Sequence, residues 1–155
     1  MGRMTGRVRW ADVRREAPDL AAVVEALFGA GTNKTLATLR ADGSPRISGT
    51  ELAFGQDVTL GMMPGSVKLR DVLRDPRVAV HSPTLEPPSD VRQWAGDAKL
   101  AGRLVETERP AEGPPGAYFA LDVTEVVHTR VDDTGQRLVV TSWHPGRGMT
   151  RLARE

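Results

Sequence analysis

The chain has 155 residues, 39% of them hydrophobic and 26% charged, with a formal net charge of +1 and no cysteine. This is the composition of one folded domain large enough to bury its own core. The near-neutral charge argues against nucleic acid as a partner, which calls for a basic excess, and the missing cysteine removes disulfides, thiolate nucleophiles and cysteine-ligated metals.

Residues 1–9 are polar and are expected to fray. No apolar run approaches the length of a membrane span, and the basic start, MGRMTGRVRW, has no apolar stretch behind it to form a signal peptide. The expectation is a cytoplasmic protein without a membrane partner. From Trp10 to Ala30 the pattern is helical: Leu20, Val23, Val24, Leu27 and Phe28 repeat at the spacing of one helical face. Pro18 suits a first helical turn and divides the stretch, and Gly29 and Gly31 stop it.

Strands follow. Thr35–Arg40 is short and β-prone, Ala41–Ser44 holds the Asp-Gly pair of a tight hairpin, and Pro45–Phe54 returns. After a turn at Gly55–Asp57, Val58–Met63 completes an expected three-strand antiparallel meander. Pro64–Gly65 ends it, and Ser66 is placed to cap a helix running through Arg74 with Leu69, Val72 and Leu73 inward. Beyond Pro76, Arg77–His81 is a fourth strand, 83–97 an irregular segment rich in Pro, Ser and Asp, and Ala98–Thr107 a fifth strand. A Pro/Gly connection at 108–116 leads to a long alternating strand, Ala117–Val131, and a turn at Asp132–Gly135 to a seventh, Arg137–Trp143. Residues from His144 onward form a tail carrying Arg147, Arg151 and Arg154. The fold class is mainly β with flanking helices, an antiparallel split or closed barrel covering 35–143 in a single domain spanning 1–155. Turns this short exclude the crossovers of a parallel sheet.

Gly61–Pro76, GMMPGSVKLRDVLRDP, is the most informative stretch: a strand, a turn, then a helix start with Ser66, Lys68 and Arg70. Free backbone N–H groups and the helix dipole at such a start attract an anion, and a hydroxyl, an ammonium and a guanidinium fork complete a phosphate seat. The same residues also read as an ordinary capped surface helix with solvated cations. The glycine spacing is not that of a nucleotide P-loop. Met62 and Met63 read equally as core or as a ligand wall. Trp94, in a polar loop, reads as an interface or lid residue. His81, His128 and His144 lack metal-ligand spacing, so no metal is expected, and no serine-nucleophile elbow is present.

TLATLRADGSPRIS followed by GMMPGSVKLRDVLRDPRVAV resembles the pyridoxamine 5′-phosphate oxidase-like family of flavin-binding split barrels. Residues 35–82 carry the resemblance, with AKLAGRLVET (98–107) and WHPGRG (143–148) adding to it. The resemblance implies a homodimer with the cofactor at the subunit interface. It places Arg46, Ile47 and Ser48 on the strand facing the flavin, and Met62, Met63, Ser66 and Lys68 around its ring edge and phosphate. His81 and Ser82 fall near the isoalloxazine, and Trp94 and Trp143 cover the site from the second subunit. The implied cofactor is FMN, with the deazaflavin F420 as the alternative; Arg147 and Arg151 would suit the latter's anionic tail. The arginine motif that holds substrate phosphate in the named oxidases has no counterpart in Trp143–Arg151, so a different small-molecule substrate is expected. A non-catalytic flavin- or haem-binding protein is a further alternative. A flavin enzyme needs few catalytic side chains, because the cofactor carries the redox chemistry.

Overall fold

In the computed structural model, which describes residues 6–155, two helices come first, α1 (Trp10–Glu16) and α2 (Pro18–Phe28). Pro18 divides them as expected, since at a first helical position its missing N–H is no loss. The strands are β1 (Lys34–Leu39), β2 (Pro45–Thr50), β3 (Ala53–Phe54), β4 (Val58–Met62), β5 (Arg77–His81), β6 (Asp97–Thr107), β7 (Ala117–Val131), β8 (Leu138–His144) and β9 (Gly148–Arg154). Helix α3 (Val67–Arg74) joins β4 to β5, and one 3₁₀ turn, Val91–Gln93, interrupts the irregular segment before β6. The strands form one antiparallel sheet in the order β2-β1-β5-β6-β7-β4-β3, with β8 added to β7 and β9 to β8.

The meander expected of residues 35–63 does not form. Side-chain alternation runs unbroken from Pro45 to Phe54, but the strand changes partner at Glu51–Leu52: β2 pairs β1, whereas β3 pairs β4. Phe54 shows what draws β3 away. Its ring meets Trp10 edge-on at 5.2 Å and Phe28 at 5.5 Å, joining the sheet to both N-terminal helices. Aromatic pairs of this kind add about 0.5–1.5 kcal/mol beyond the area they bury. The chain therefore passes from one end of the sheet to the other within two residues. The ends face each other across an opening, the split of the barrel.

β7 is the spine. β6 lines one edge over its whole length; the other edge takes β4 at Ala117–Ala120 and β8 at Val126–Val131. The gap between them is filled by the N-terminal segment. Val8 donates its N–H to Asp122 Oδ1 at 2.7 Å and accepts from the Val123 N–H at 3.0 Å, and its side chain is buried. Arg7 and Arg9 both reach Asp57, at 3.1 and 2.8 Å. Residues 6–9 are thus a strap rather than the frayed end the polar sequence suggested; residues 1–5 lie outside the described part.

The core joins Trp10, Val13, Leu20, Val24 and Phe28 of the helices to the inward rows of the sheet. Two expected inward residues face solvent: Val23 on α2 and Leu73 on α3, the latter 62% exposed. The tail forms a strand, β9, that folds back on β8 through a turn in which Gly146 takes φ +80°. No helix among the described residues is long and apolar enough to cross a membrane.

Opposite the strap, β6 and β7 shift register between Ala101 and Gly102, which pair with Glu125 and Val123. Thr124 is the extra residue of this bulge. A Cβ on Gly102 would lie 2.1 Å from the Asp122 carbonyl oxygen. Gly102→Ala is expected to destabilise the protein by about 1–3 kcal/mol, the usual cost of overpacking; unchanged denaturant unfolding would show that the bulge relaxes freely.

Candidate functional site

Asp71 sets the geometry of α3. It is 2% exposed and accepts three side-chain bonds: Thr38 Oγ1 of β1 at 2.7 Å, Arg46 Nε of β2 at 2.7 Å and Arg74 of its own helix at 3.1 Å. The hydrogen-bonded Arg46 guanidinium is the main cause holding its carboxyl below the ordinary 3.8; Thr38 and Arg74 add to this and burial opposes it. A buried carboxylate is tolerated where its lone pairs are satisfied in this way. The result is a helix locked onto two neighbouring strands, with Lys68 and Arg70 sent to different sides.

Lys68 faces the split. There a cleft of about 920 Å³ opens between the end of β2 (Gly49, Thr50), Glu51 and β4 (Gly61, Met62), with Met63, Lys68, Pro114, Pro115 and Tyr118 also lining it. Lys68 Nζ donates to the Gly49 carbonyl at 2.7 Å, which leaves two ammonium hydrogens for an anion. Tyr118 lies flat on β4 because Gly61, its register partner, has no side chain; a Cβ there would sit 3.0 Å from the ring. The Tyr118 hydroxyl donates to Pro114 O at 2.6 Å, closing that wall.

Two hydroxyls on elements bordering the cleft are buried without a hydrogen-bond partner, Ser48 Oγ on β2 and Ser66 Oγ at the α3 N-cap. Ser66 has the extended backbone of an N-cap, yet its side chain makes no capping bond. Its expected capping role is therefore not realised. Orphaned buried polar atoms are rare and point to an absent partner. Ser66 Oγ at the N-cap, the first-turn N–H groups of α3 and Lys68 are donors of the kind a phosphate takes.

Of the residues marked by sequence, Met63 and Lys68 line the cleft, as does Met62, whose side chain is buried in the core; Ser48 and Ser66 are buried on β2 and at the α3 N-cap, next to lining residues in the chain. The others stand elsewhere. Arg46 turns to Asp71, and Arg70 lines a separate depression behind α3. Ile47 is 73% exposed on the outer row of β2. Ser82 is buried as a clasp: its Oγ accepts the Ala98 N–H at 3.0 Å. His81 Nδ1 lies 2.6 Å from Ser82 O and its Nε2 3.9 Å from Asp97. Trp94 is half-buried in its loop and donates to Leu85 O at 3.1 Å. Trp143 is 1% exposed within its own core, so it has no surface to offer another subunit's site, contrary to the role the resemblance gave it. Gly49, Glu51, Gly61, Pro114 and Tyr118 were not marked by sequence. The signal present was that Tyr118 is the single tyrosine and follows a Pro/Gly connection. Among the described residues no group of three His, Asp or Glu side chains is placed to hold a metal.

No family model and no curated protein sequence matches the chain. Solved structures do. PhzG from Burkholderia lata 383, solved with tetrahydrophenazine-1-carboxylic acid, superposes with a TM-score of 0.64 at 12% identity, covering 99% of this chain and 100% of that one. A pyridoxamine 5′-phosphate oxidase-related, FMN-binding protein from Nostoc punctiforme PCC 73102 gives 0.60 at 12% identity, over 92% and 97%. HutZ, a haem storage protein from Vibrio cholerae, gives 0.51 at 13%, over 70% and 89%. The chain thus has the split-barrel fold of the pyridoxamine 5′-phosphate oxidase-like type. That fold is shared by proteins whose names point to flavin and to haem.

Because the folded Asp71 carboxyl is held below 3.8, its stabilising contribution is complete above that pH and is lost as pH falls through the depressed value. Asp71→Asn is expected to cost about 2–3 kcal/mol at pH 7, where an orphaned Arg46 remains partly hydrated. The difference from wild type should shrink towards pH 2 in acid-unfolding curves. A pH-independent difference would mean that the carboxylate is not the operative group.

Proposed function

We propose that this protein binds FMN in the split and acts as a flavin-dependent oxidoreductase on a small molecule. The observation that carries the reading is Lys68 in the first turn of α3, lining a large cleft with only the Gly49 carbonyl as its partner. When bound, the flavin supplies the hydride or electron chemistry. This chain's part is to seat and orient it. Lys68 and the first-turn amides of α3 would neutralise the phosphate. Met63 and Tyr118 offer a polarisable and an aromatic wall for a flat ring. The fold type shared with an FMN-binding protein adds support.

F420 presents its phosphate to the same helix start in the family resembled, so it is the competitor against which FMN is tested. A haem in this cleft would lack a histidine ligand from its lining, since His81, His128 and His144 do not border it.

The functional unit in this proposal is a homodimer. One protomer's cleft is broad and open, Met63 on its lining is 76% exposed, and Ile47 on β2, the strand whose end borders the cleft, is 73% exposed. A second copy across this face would cover those side chains and close the site. Light scattering at micromolar concentration is expected to give twice the protomer mass; a monomer would remove the shared-interface arrangement.

Lys68→Ala is expected to weaken FMN binding by about 1.5–3 kcal/mol, the scale of a hydrogen bond to a charged group, read by flavin fluorescence titration with F420 run alongside. Unchanged affinity would take Lys68 out of the site, and saturable binding of F420 alone would replace FMN as the cofactor.

A further inference from the structure

Behind α3, on the side away from the split, the β1–β2 turn and the helix enclose a shallow bowl of about 410 Å³. Its rim carries four guanidinium groups, Arg40, Arg46, Arg70 and Arg74, and two carboxylates, Asp42 and Asp71. Four positive charges less two negative leave an excess of +2.

Both carboxylates already accept hydrogen bonds. Asp71 already accepts from Thr38, Arg46 and Arg74. Asp42 accepts the N–H and Oγ of Ser44 at 2.9 and 2.6 Å, bonds that hold its carboxyl below its ordinary value and so ionised. The guanidiniums, by contrast, have donors to spare. Arg46 spends its Nε on Asp71, leaving its terminal N–H groups unused. Arg40 makes one long contact, 3.4 Å to Pro45 O. The Arg70 guanidinium makes no hydrogen bond or ion pair with any described residue, its backbone N–H alone bonding to Ser66 O. Asp71 also fixes Arg46 and Arg74, so part of the donor array is oriented before any ligand arrives, which lowers the ordering cost of binding.

We infer that the bowl is a second anion site, separate from the cleft, for a ligand bearing a pyrophosphate group. Four guanidinium groups around one depression, with a surplus of two charges, suit a polyanion with several oxygens better than a lone carboxylate, which engages one fork and leaves the rest unpaired. The site stands independently of the flavin reading, since Lys68 and Arg70 leave α3 towards different cavities.

The test is calorimetric titration of the full chain with inorganic pyrophosphate, and with sulfate at matched ionic strength. Pyrophosphate is expected to bind at least about tenfold more tightly than sulfate, a step of 1.4 kcal/mol. The Arg40→Glu/Arg70→Glu variant should lose at least about tenfold of that affinity, whereas Lys68→Ala should keep it. Both substituted arginines are exposed and outside the Asp71 bonds, and Arg70→Gln, expected to weaken binding in the same direction, serves as the milder variant if the charge reversal lowers stability. An ADP titration separates the sources: tighter binding than pyrophosphate assigns a nucleotide, and equal binding assigns the free group. Equal affinity for sulfate, insensitivity to the arginine substitutions, or loss of binding in Lys68→Ala would each overturn the inference.

Discussion

The buried carboxylate of Asp71 is the constraint on which the rest of this architecture hangs. One side chain joins β1, β2 and α3 through Thr38, Arg46 and Arg74. Such a node is costly to assemble in an apolar interior and costly to break once made. Its value here is directional. With Asp71 turned inward, Lys68 is directed to the split and Arg70 to the opposite bowl, so a single short helix presents cations to two separate cavities.

The second constraint is the change of partner at Glu51–Leu52. A sheet whose ends met by hydrogen bonding would close the barrel and leave no room for a ligand. Because β2 keeps to β1 while Phe54 draws β3 onto Trp10 and Phe28, the end of β2 stands apart from β4. Lys68 spans towards that gap and takes the Gly49 carbonyl. An open sheet edge usually invites pairing with another chain. Here β2, an end strand of the sheet, carries the exposed Ile47, and Met63 is exposed on the cleft, which gives the proposed dimer a physical motive.

Much of the fold was legible because it depends on local signals. The Asp-Gly turn, the Pro18 break, the glycine stops and the alternation of β6 each act over a few residues and appear where expected, whereas β7 has the expected bounds but its alternation is broken around the bulge at Thr124. What failed to show was non-local. Unbroken alternation from Pro45 to Phe54 marks an extended chain and says nothing about its partner, so one strand was read where two exist. The strap at Val8 fills a gap between β4 and β8 that exists only in three dimensions, and a polar flanking sequence hides a single buried valine. On α3, helical periodicity put Leu73 inward and had no means of choosing Asp71, whose burial is worthwhile only because Thr38 and Arg46 arrive from elsewhere in the chain. The candidate site followed the same rule. Lys68 and the methionines were visible from the strand–turn–helix stretch, whereas Tyr118 and Gly49 enter the cleft through pairing and the split.

In the function proposed above, the split, and not another surface, receives the flavin phosphate at the start of α3. Backbone-amide NMR during an FMN titration tests it directly, because it reports where the ligand lands independently of turnover. The largest shift changes should fall on Gly49–Glu51, Gly61–Met63 and the amides of Ser66–Lys68. Changes centred on Arg40 and Arg70, on the β8–β9 hairpin, or absent throughout would contradict it.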